Sequence, residues 1–240
     1  MTKPSLILFD LDGTLLPLDQ DAFLNQYFSA LAKKVCPYGY DAGTLVKALW
    51  KGVAAMTAND GTMTNEARFW NIFSESLDQN IINYMPVFED FYRTDFHIAK
   101  AASGPAPLAK EVITAARATG AKVVLATNPL FPFCAVETRL SWIDLTVDSF
   151  DYVTTYETNS YCKPNPDYYR AILSQMDTEP AQTLMIGNDI NEDILPTQRL
   201  GISSFLLTDC IIWEKGKESI IPNGVPAGNY AALLKYLKNL

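Results

Sequence analysis

Eight polar side chains stand at spacings that can support chemistry: Asp10 and Asp12, Thr127 and Asn128, Lys163, and Asn188, Asp189 and Asp193. Asp10 and Asp12 are two residues apart, so on extended backbone their carboxylates point the same way. Neighbouring carboxylates can divide labour, because mutual repulsion raises one pKa and keeps one group protonated while the other is ionised. Gly13 behind them frees the chain to turn sharply. Asp189 and Asp193 are four residues apart and share one face if their loop runs into a helix. Hard oxygen ligands of this kind select Mg²⁺ over softer metals. Lys163 offers a point charge to anionic oxygens. The Thr127 hydroxyl and nearby backbone N–H groups can donate to the same oxygens.

Taken singly, each of these signals is weak. An Asp-x-Asp pair is ordinary on a protein surface. Thr-Asn after a strand is usually a turn, a lone lysine is usually solvated, and acidic residues favour helix N-termini through the dipole. The case rests on the elements that place them.

Ser5 to Phe9 is a short, continuous apolar run that stops at Asp10, the pattern of a buried parallel strand. Asp12-Gly13 then breaks the run. From Asp19 to about Lys100, apolar residues recur at helical spacing, as in Phe23, Tyr27, Phe28 and Leu31, or Phe69, Ile72, Phe73 and Leu77. Beyond Pro105 the pattern alternates. Helices are expected at 107–119, 133–140, 166–176, after the acidic loop to 200, and at 229–237. Strands are expected at 122–126, 150–155, 183–186 and 203–207. This predicts an α/β fold, a Rossmann-like parallel sheet covered on both faces, with a helical segment inserted after the first strand. Ligands of such sheets bind beyond the carboxyl ends of the strands. Those ends carry Asp10 and Asp12, Thr127 and Asn128, Lys163 in the loop that follows, and Asn188 to Asp193. Carboxylates, a hydroxyl and an ammonium gathered there suit a magnesium-bound phosphate.

Composition narrows the function classes. The 240 residues are 48% apolar and 19% charged, enough for a sizeable core. The net charge is −8 and no Lys/Arg run occurs, which argues against nucleic acid or an anionic membrane as partner. The run from Val123 to Val136 is broken by Asn128, Pro129 and Pro132, too short to span a bilayer. The apolar stretch of MTKPSLILFD meets a carboxylate too soon for a secretory signal. Cys36, Cys134, Cys162 and Cys210 are scattered, which predicts free thiols and a cytoplasmic location and offers no zinc spacing. His97 is the sole histidine and there is no Gly-x-Ser-x-Gly, so histidine-based nucleophilic catalysis has little to stand on.

The motifs together resemble the haloacid dehalogenase superfamily, in its phosphatase branch with a helical cap inserted after the first strand. FDLDGTLL at Phe9 to Leu16 resembles the family's DxDGT signature, and LATN at Leu125 to Asn128 its Thr/Ser motif. KPNP at Lys163 to Pro166 resembles the lysine motif, and IGNDINEDI at Ile186 to Ile194 the acidic motif. One departure is Asn188, where many members carry aspartate directly after the glycine. The resemblance implies a catalytic core of residues 1–18 and 103–240, and a cap of residues 19–102. It implies that Asp10 is the nucleophile forming an aspartyl phosphate, and that Asp12 is the general acid and base. It implies Mg²⁺ held by Asp10, the Asp12 backbone carbonyl and Asp189, with Asn188 and Asp193 supporting them. Thr127, Asn128 and Lys163 would bind the phosphoryl group. The expected substrate is a small phosphate monoester. Other readings are a haloacid dehalogenase, disfavoured by Asp12, a sugar phosphomutase, and a non-catalytic binding module that kept the fold. Phe23, Tyr27, Trp50 and Trp70 could line a substrate pocket, but their helical spacing favours a core role. The oligomeric state is not legible in the sequence.

Overall fold

The computed structural model describes residues 3–240, so residues 1 and 2 of the expected core segment lie outside the described residues. The central strand is β1 (Leu6–Phe9), with all four side chains buried. The chain then enters four helices, α1 (Gln20–Val35), α2 (Ala42–Thr57), α3 (Asn65–Ser76) and α4 (Met85–Arg93). It returns through α5 (Ala109–Ala118), β2 (Lys122–Leu125), α6 (Phe133–Ser141), β3 (Tyr152–Val153) and α7 (Pro166–Met176). It ends with β4 (Thr183–Gly187), α8 (Leu195–Arg199), β5 (Ser203–Leu207), β6 (Ala227–Gly228) and α9 (Tyr230–Lys238). The strands form one parallel sheet in the order β3-β2-β1-β4-β5-β6. The expected α/β sheet is therefore present, with β1 between β2 and β4.

Strand alternation explains why β1 reads as an unbroken apolar run. Leu6 and Leu8 join Val124, Met185 and the α7 side chains Tyr168, Tyr169 and Ile172 on one face. Ile7 and Phe9 join Val123, Leu125, Ile186 and residues of α5 and α9 on the other. Successive side chains of a strand point to opposite faces, so a strand covered on both sides must be apolar throughout.

Two elements differ from the sequence-based expectation. The strand expected at 150–155 is only two residues long and follows a 3₁₀ turn at Val147–Ser149. Side chains add to the backbone pairing there: the Val123 N–H donates to Asp151 Oδ2 at 2.7 Å, and the Thr154 hydroxyl donates to the Thr127 carbonyl at 2.6 Å. The helix expected after the acidic loop begins as a π-helical turn, Ile190–Ile194, and only then becomes α8. Strand β6 has no apolar run to announce it.

The inserted helices are tied to the core at several places, three of them close to the strand ends or the chain connections. The outgoing and returning chains pair, with the Asp19 N–H on the Ala102 carbonyl at 3.0 Å and the Gly104 N–H on the Pro17 carbonyl at 2.8 Å. An aromatic cluster of Phe23, Tyr27, Phe96 and the core residue Phe131 joins the two parts. The start of α3 is pinned by Asn65. Its side chain donates to the Pro129 carbonyl at 3.2 Å and accepts from Asn59 Nδ2 at 2.8 Å, while its backbone N–H donates to the Asn159 carbonyl at 2.8 Å. Among the described residues no helix is long and apolar enough to cross a membrane.

Asn65→Ala removes these side-chain bonds, together with a third to Cys162 Sγ at 3.3 Å, and leaves buried partners without a mate. We expect it to lower unfolding stability by about 2 kcal/mol, read from the urea midpoint at unchanged m-value.

Candidate active site

The strand ends converge as their sequence positions require. Asp10 leaves the end of β1 with its N–H on the Ile186 carbonyl at 3.0 Å, and its side chain is buried. Lys163 reaches it from the loop beyond β3. Lys163 Nζ lies 2.8 Å from Asp10 Oδ1 and 2.7 Å from Asp193 Oδ1, and the lysine is only 1% exposed. Asp193 Oδ2 in turn accepts the backbone N–H groups of Asn188 and Asp189, at 3.1 and 3.0 Å. The result is a buried chain of charges spanning three of the four motifs.

Two glycines make room for it. Gly13 has φ +85°, and a Cβ there would fall 2.2 Å from Asn188 Nδ2. A Cβ on Gly187 would fall 2.2 Å from Asp193 Oδ2. Gly13 lets the chain after Asp10 turn back at once, so that the Thr14 hydroxyl comes within 3.0 Å of Asp10 Oδ2 and 2.9 Å of Asn188 Oδ1. Asn188 is buried, and its amide donates to the Cys210 carbonyl at 2.7 Å. Asp189 does not share a helix face with Asp193. It caps the π-helical turn through Oδ1, which accepts from the Asn191 and Glu192 N–H groups at 2.7 and 3.0 Å.

Asp10, Asp12, Thr127, Asn128, Asn188, Asp189 and Asp193 line one cavity of about 190 Å³. The structure thus brings the sequence-predicted residues together, with Lys163 closing the wall behind Asp10. The Thr127 carbonyl is held by Thr154 and by the Tyr168 hydroxyl at 2.9 Å, which fixes its backbone at the cavity wall. The Asn128 side chain is occupied in binding protein. Its oxygen accepts the Lys163 N–H at 3.2 Å and its amide donates to Glu192 Oε2 at 3.0 Å.

Arg139 of α6 was missed by the sequence reading. It is fully buried, pairs through Nη1 with Asp12 Oδ2, and lies over the Phe131 ring at 4.5 Å. Its Nη2 and Asp12 Oδ1 are buried without hydrogen-bond partners. A signal existed: Val136, Arg139 and Leu140 stand at i, i+3 and i+4, which puts the arginine on the buried face of its helix. Glu192 and Gln20 also line the cavity and went unread. His97 accepts from Trp142 Nε1 at 3.2 Å and does not line that cavity. All four cysteines are free thiols.

Charge states follow from this packing. Burial alone would push Lys163 down, but Asp10 and Asp193 outweigh it and hold the ammonium well above the usual lysine value. Burial pushes the Asp193 carboxyl up, against the pull of Lys163, as expected when one cation serves two carboxylates. Burial also raises Asp12; Arg139 opposes this and the charge of Asp10 adds to it. Glu192 is pushed up to about 7, chiefly by burial.

Removing the shared cation should therefore be costly. Lys163→Met leaves Asp10 and Asp193 facing each other in a dry site, and we expect a loss of about 3–5 kcal/mol in urea unfolding. Adding Asp193→Asn should recover part of that loss, because one uncompensated charge is removed.

Sequence and fold comparisons agree with the motif pattern. Residues 4–201 match the family model described as haloacid dehalogenase-like hydrolase. A glyceraldehyde 3-phosphate phosphatase from Methanothermobacter thermautotrophicus is 32% identical over 76 residues, a stretch covering 32% of this chain and 33% of that protein. The match thus spans about a third of the length of that curated relative. A predicted phosphoglycolate phosphatase from Haemophilus somnus superposes with TM-score 0.57 at 19% identity, covering 98% of this chain and 99% of that one. A 2-haloacid dehalogenase from Pseudomonas syringae pv. tomato superposes with TM-score 0.62 at 16% identity, covering 98% and 99%. At these identities the superpositions establish the fold, which phosphatases and dehalogenases share. With the family model matched over most of the chain and its motifs gathered at the strand ends, the protein belongs to the haloacid dehalogenase-like hydrolase family.

Proposed function

We propose that the protein hydrolyses small phosphate monoesters through an aspartyl phosphate on Asp10. The observation that carries this reading is the placement of Asp10. Its carboxylate stands on the cavity wall at the end of the central strand, oriented by Lys163 and Thr14. A carboxylate fixed in this way needs little reorganisation to attack phosphorus in line. Lys163 supplies positive charge where the phosphoryl oxygens gather, and Thr127 adds a donor on the same wall.

Asp12 is the proposed acid and base. One oxygen is fixed by Arg139 and the other is buried without a partner, so the carboxyl is held in one orientation with a free oxygen. It would protonate the departing alcohol and then take a proton from the water that hydrolyses the intermediate. Asp12 also supports a phosphatase over a dehalogenase, since the superfamily's dehalogenases lack the second aspartate.

The residues present fit Mg²⁺. Among the described residues, no three His, Cys, Asp or Glu side chains converge closely enough to cage an ion. Mg²⁺ does not require a cage, because it keeps several waters and takes one or two carboxylates together with phosphate oxygens. Asp10 and Asp189 line the same cavity, and the Thr14 hydroxyl links Asp10 to Asn188 on its wall. Asp10, the Asp12 carbonyl and Asp189 would hold the ion. Bound there, it would neutralise charge on the phosphoryl oxygens.

Residues 19–102 are proposed as a cap over residues 1–18 and 103–240. The paired connections near Leu18 and Ser103 would be its hinges. The Asn65 tether and the aromatic cluster favour a cap that screens the site by its fixed walls as well as by closing.

Asp10→Asn removes the attacking oxygen, and we expect kcat to fall by about 10⁴-fold or more with an unchanged circular dichroism spectrum. EDTA should abolish p-nitrophenyl phosphate hydrolysis and Mg²⁺ should restore it. Release of phosphate by wild type no faster than by Asp10→Asn would overturn the proposal. Asp189→Ala should raise the Mg²⁺ concentration for half-maximal rate more than Asn188→Ala does. The reverse order would move the ligand to Asn188.

A further inference from the structure

A second and larger cavity, of about 540 Å³, lies between α1, α2, α3 and α4 and the core loop at residues 130–134. Tyr27, Phe28, Trp50, Phe69 and Trp70 line it from the insert, and Phe131 from the core. Leu130 and Phe131 line both this cavity and the one that holds Asp10, so the two spaces adjoin along these residues. The junction is held in place, because the Phe131 ring lies under the buried Arg139 guanidinium. Three of the four aromatics weighed as pocket residues from the sequence, Tyr27, Trp50 and Trp70, do line it, and Phe23 stays in the core.

The sizes divide the work. About 190 Å³ beside Asp10 suits a phosphoryl group and little more. About 540 Å³ falls within the range that takes a drug-sized organic body, and far exceeds what a two- or three-carbon acid or aldehyde fills. The charges decide what kind of body it is. Glu66, Glu89 and Glu157 stand on the lining. Its one cation is Arg93, which is held by Glu89 at 3.1 Å and by Glu137 at 3.8 Å. A second phosphate or a carboxylate there would meet three carboxylates and no uncommitted positive charge. Trp50 is 46% exposed, an indole left at the cavity edge against Phe28 at 5.4 Å. Large apolar surface left uncovered at a concave site marks a place for a ligand.

We infer that the preferred substrate is a phosphate monoester whose alcohol carries a bulky, uncharged apolar body, of aromatic-ring size or larger, seated among α1 to α4 and Phe131. This rests on the reading of the Asp10 cavity as a phosphoryl site. It makes a bisphosphate, as a phosphomutase would require, a poor occupant.

The test holds leaving-group chemistry constant by using primary alcohols only: ethyl phosphate, 2-phenylethyl phosphate, 2-(2-naphthyl)ethyl phosphate and ethylene glycol bisphosphate, all with Mg²⁺. We expect kcat/KM to rise about 100-fold from the ethyl to the naphthylethyl ester, as burial of an aromatic body allows. The bisphosphate should do no better than the ethyl ester. Trp50→Ala removes one wall and Val53→Trp fills the space. Each should reduce the naphthylethyl-to-ethyl ratio about tenfold in protein that melts cooperatively. Hydrolysis with equal kcat/KM across the series, or faster hydrolysis of the bisphosphate, would overturn the inference and leave the phosphatase reading standing. If no ester is turned over, the phosphatase reading fails and the inference goes with it.

Discussion

A single ammonium, that of Lys163, is shared by two buried carboxylates, and the rest of the site is arranged around that arithmetic. Lys163 lies 2.8 Å from Asp10 and 2.7 Å from Asp193, all three out of water. Taking an ion out of water costs several kcal/mol, and direct pairing repays this only when remaining oxygens are also satisfied. Here they are. Asp193 accepts two backbone N–H groups, and Asp10 is within reach of the Thr14 hydroxyl. Such a cluster contributes little net stability compared with an apolar core. What it provides is a fixed orientation for the Asp10 carboxylate and a concentrated positive charge beside it.

That requirement explains the local backbone. Asp193 can approach the end of β4 only because Gly187 has no Cβ, and the turn after Asp10 closes only because Gly13 adopts φ +85°. The departure from a regular α-helix at Ile190–Ile194 belongs to the same arrangement. Asp189 caps the turn while Asp193 folds back beneath it, so residues four apart serve different roles. The sheet supplies the reference frame, with β1 and β4 paired in register so that Phe9 lies beside Ile186 one residue before Asp10.

A second constraint links the site to the insert. Arg139 pairs with Asp12 on one side and covers Phe131 on the other. Phe131 also packs on Tyr27, Phe23 and Phe96. One aromatic ring therefore touches the group that orients Asp12, the helices above the site, and the larger cavity. The cavity that holds Asp10 and the larger cavity are lined by neighbouring residues of a single loop.

Much of this was legible in the chain. The apolar runs of β1, β2, β4 and β5 are strands buried on both faces, and burial leaves no alternative composition. Asp10, Thr127, Lys163 and Asp193 were legible because strand ends are where a parallel sheet opens, and turn residues mark those ends. The strand at 150–155 was legible but not how short it is, and the two-residue β6 was not, since it pairs with β5 through backbone bonds and carries no apolar run. Arg139 went unread, although its spacing from Val136 and Leu140 puts it on the buried face of its helix. The sequence alone determined which residues are available for chemistry and the order in which strands present them, because local periodicity and turns are local properties. Only the tertiary structure decided that one lysine serves two aspartates, that Asp12 is held by an arginine 127 residues away, and that the aromatic helices enclose a cavity instead of filling it. Those outcomes depend on which side chains meet across the fold, and distance along the chain does not encode that.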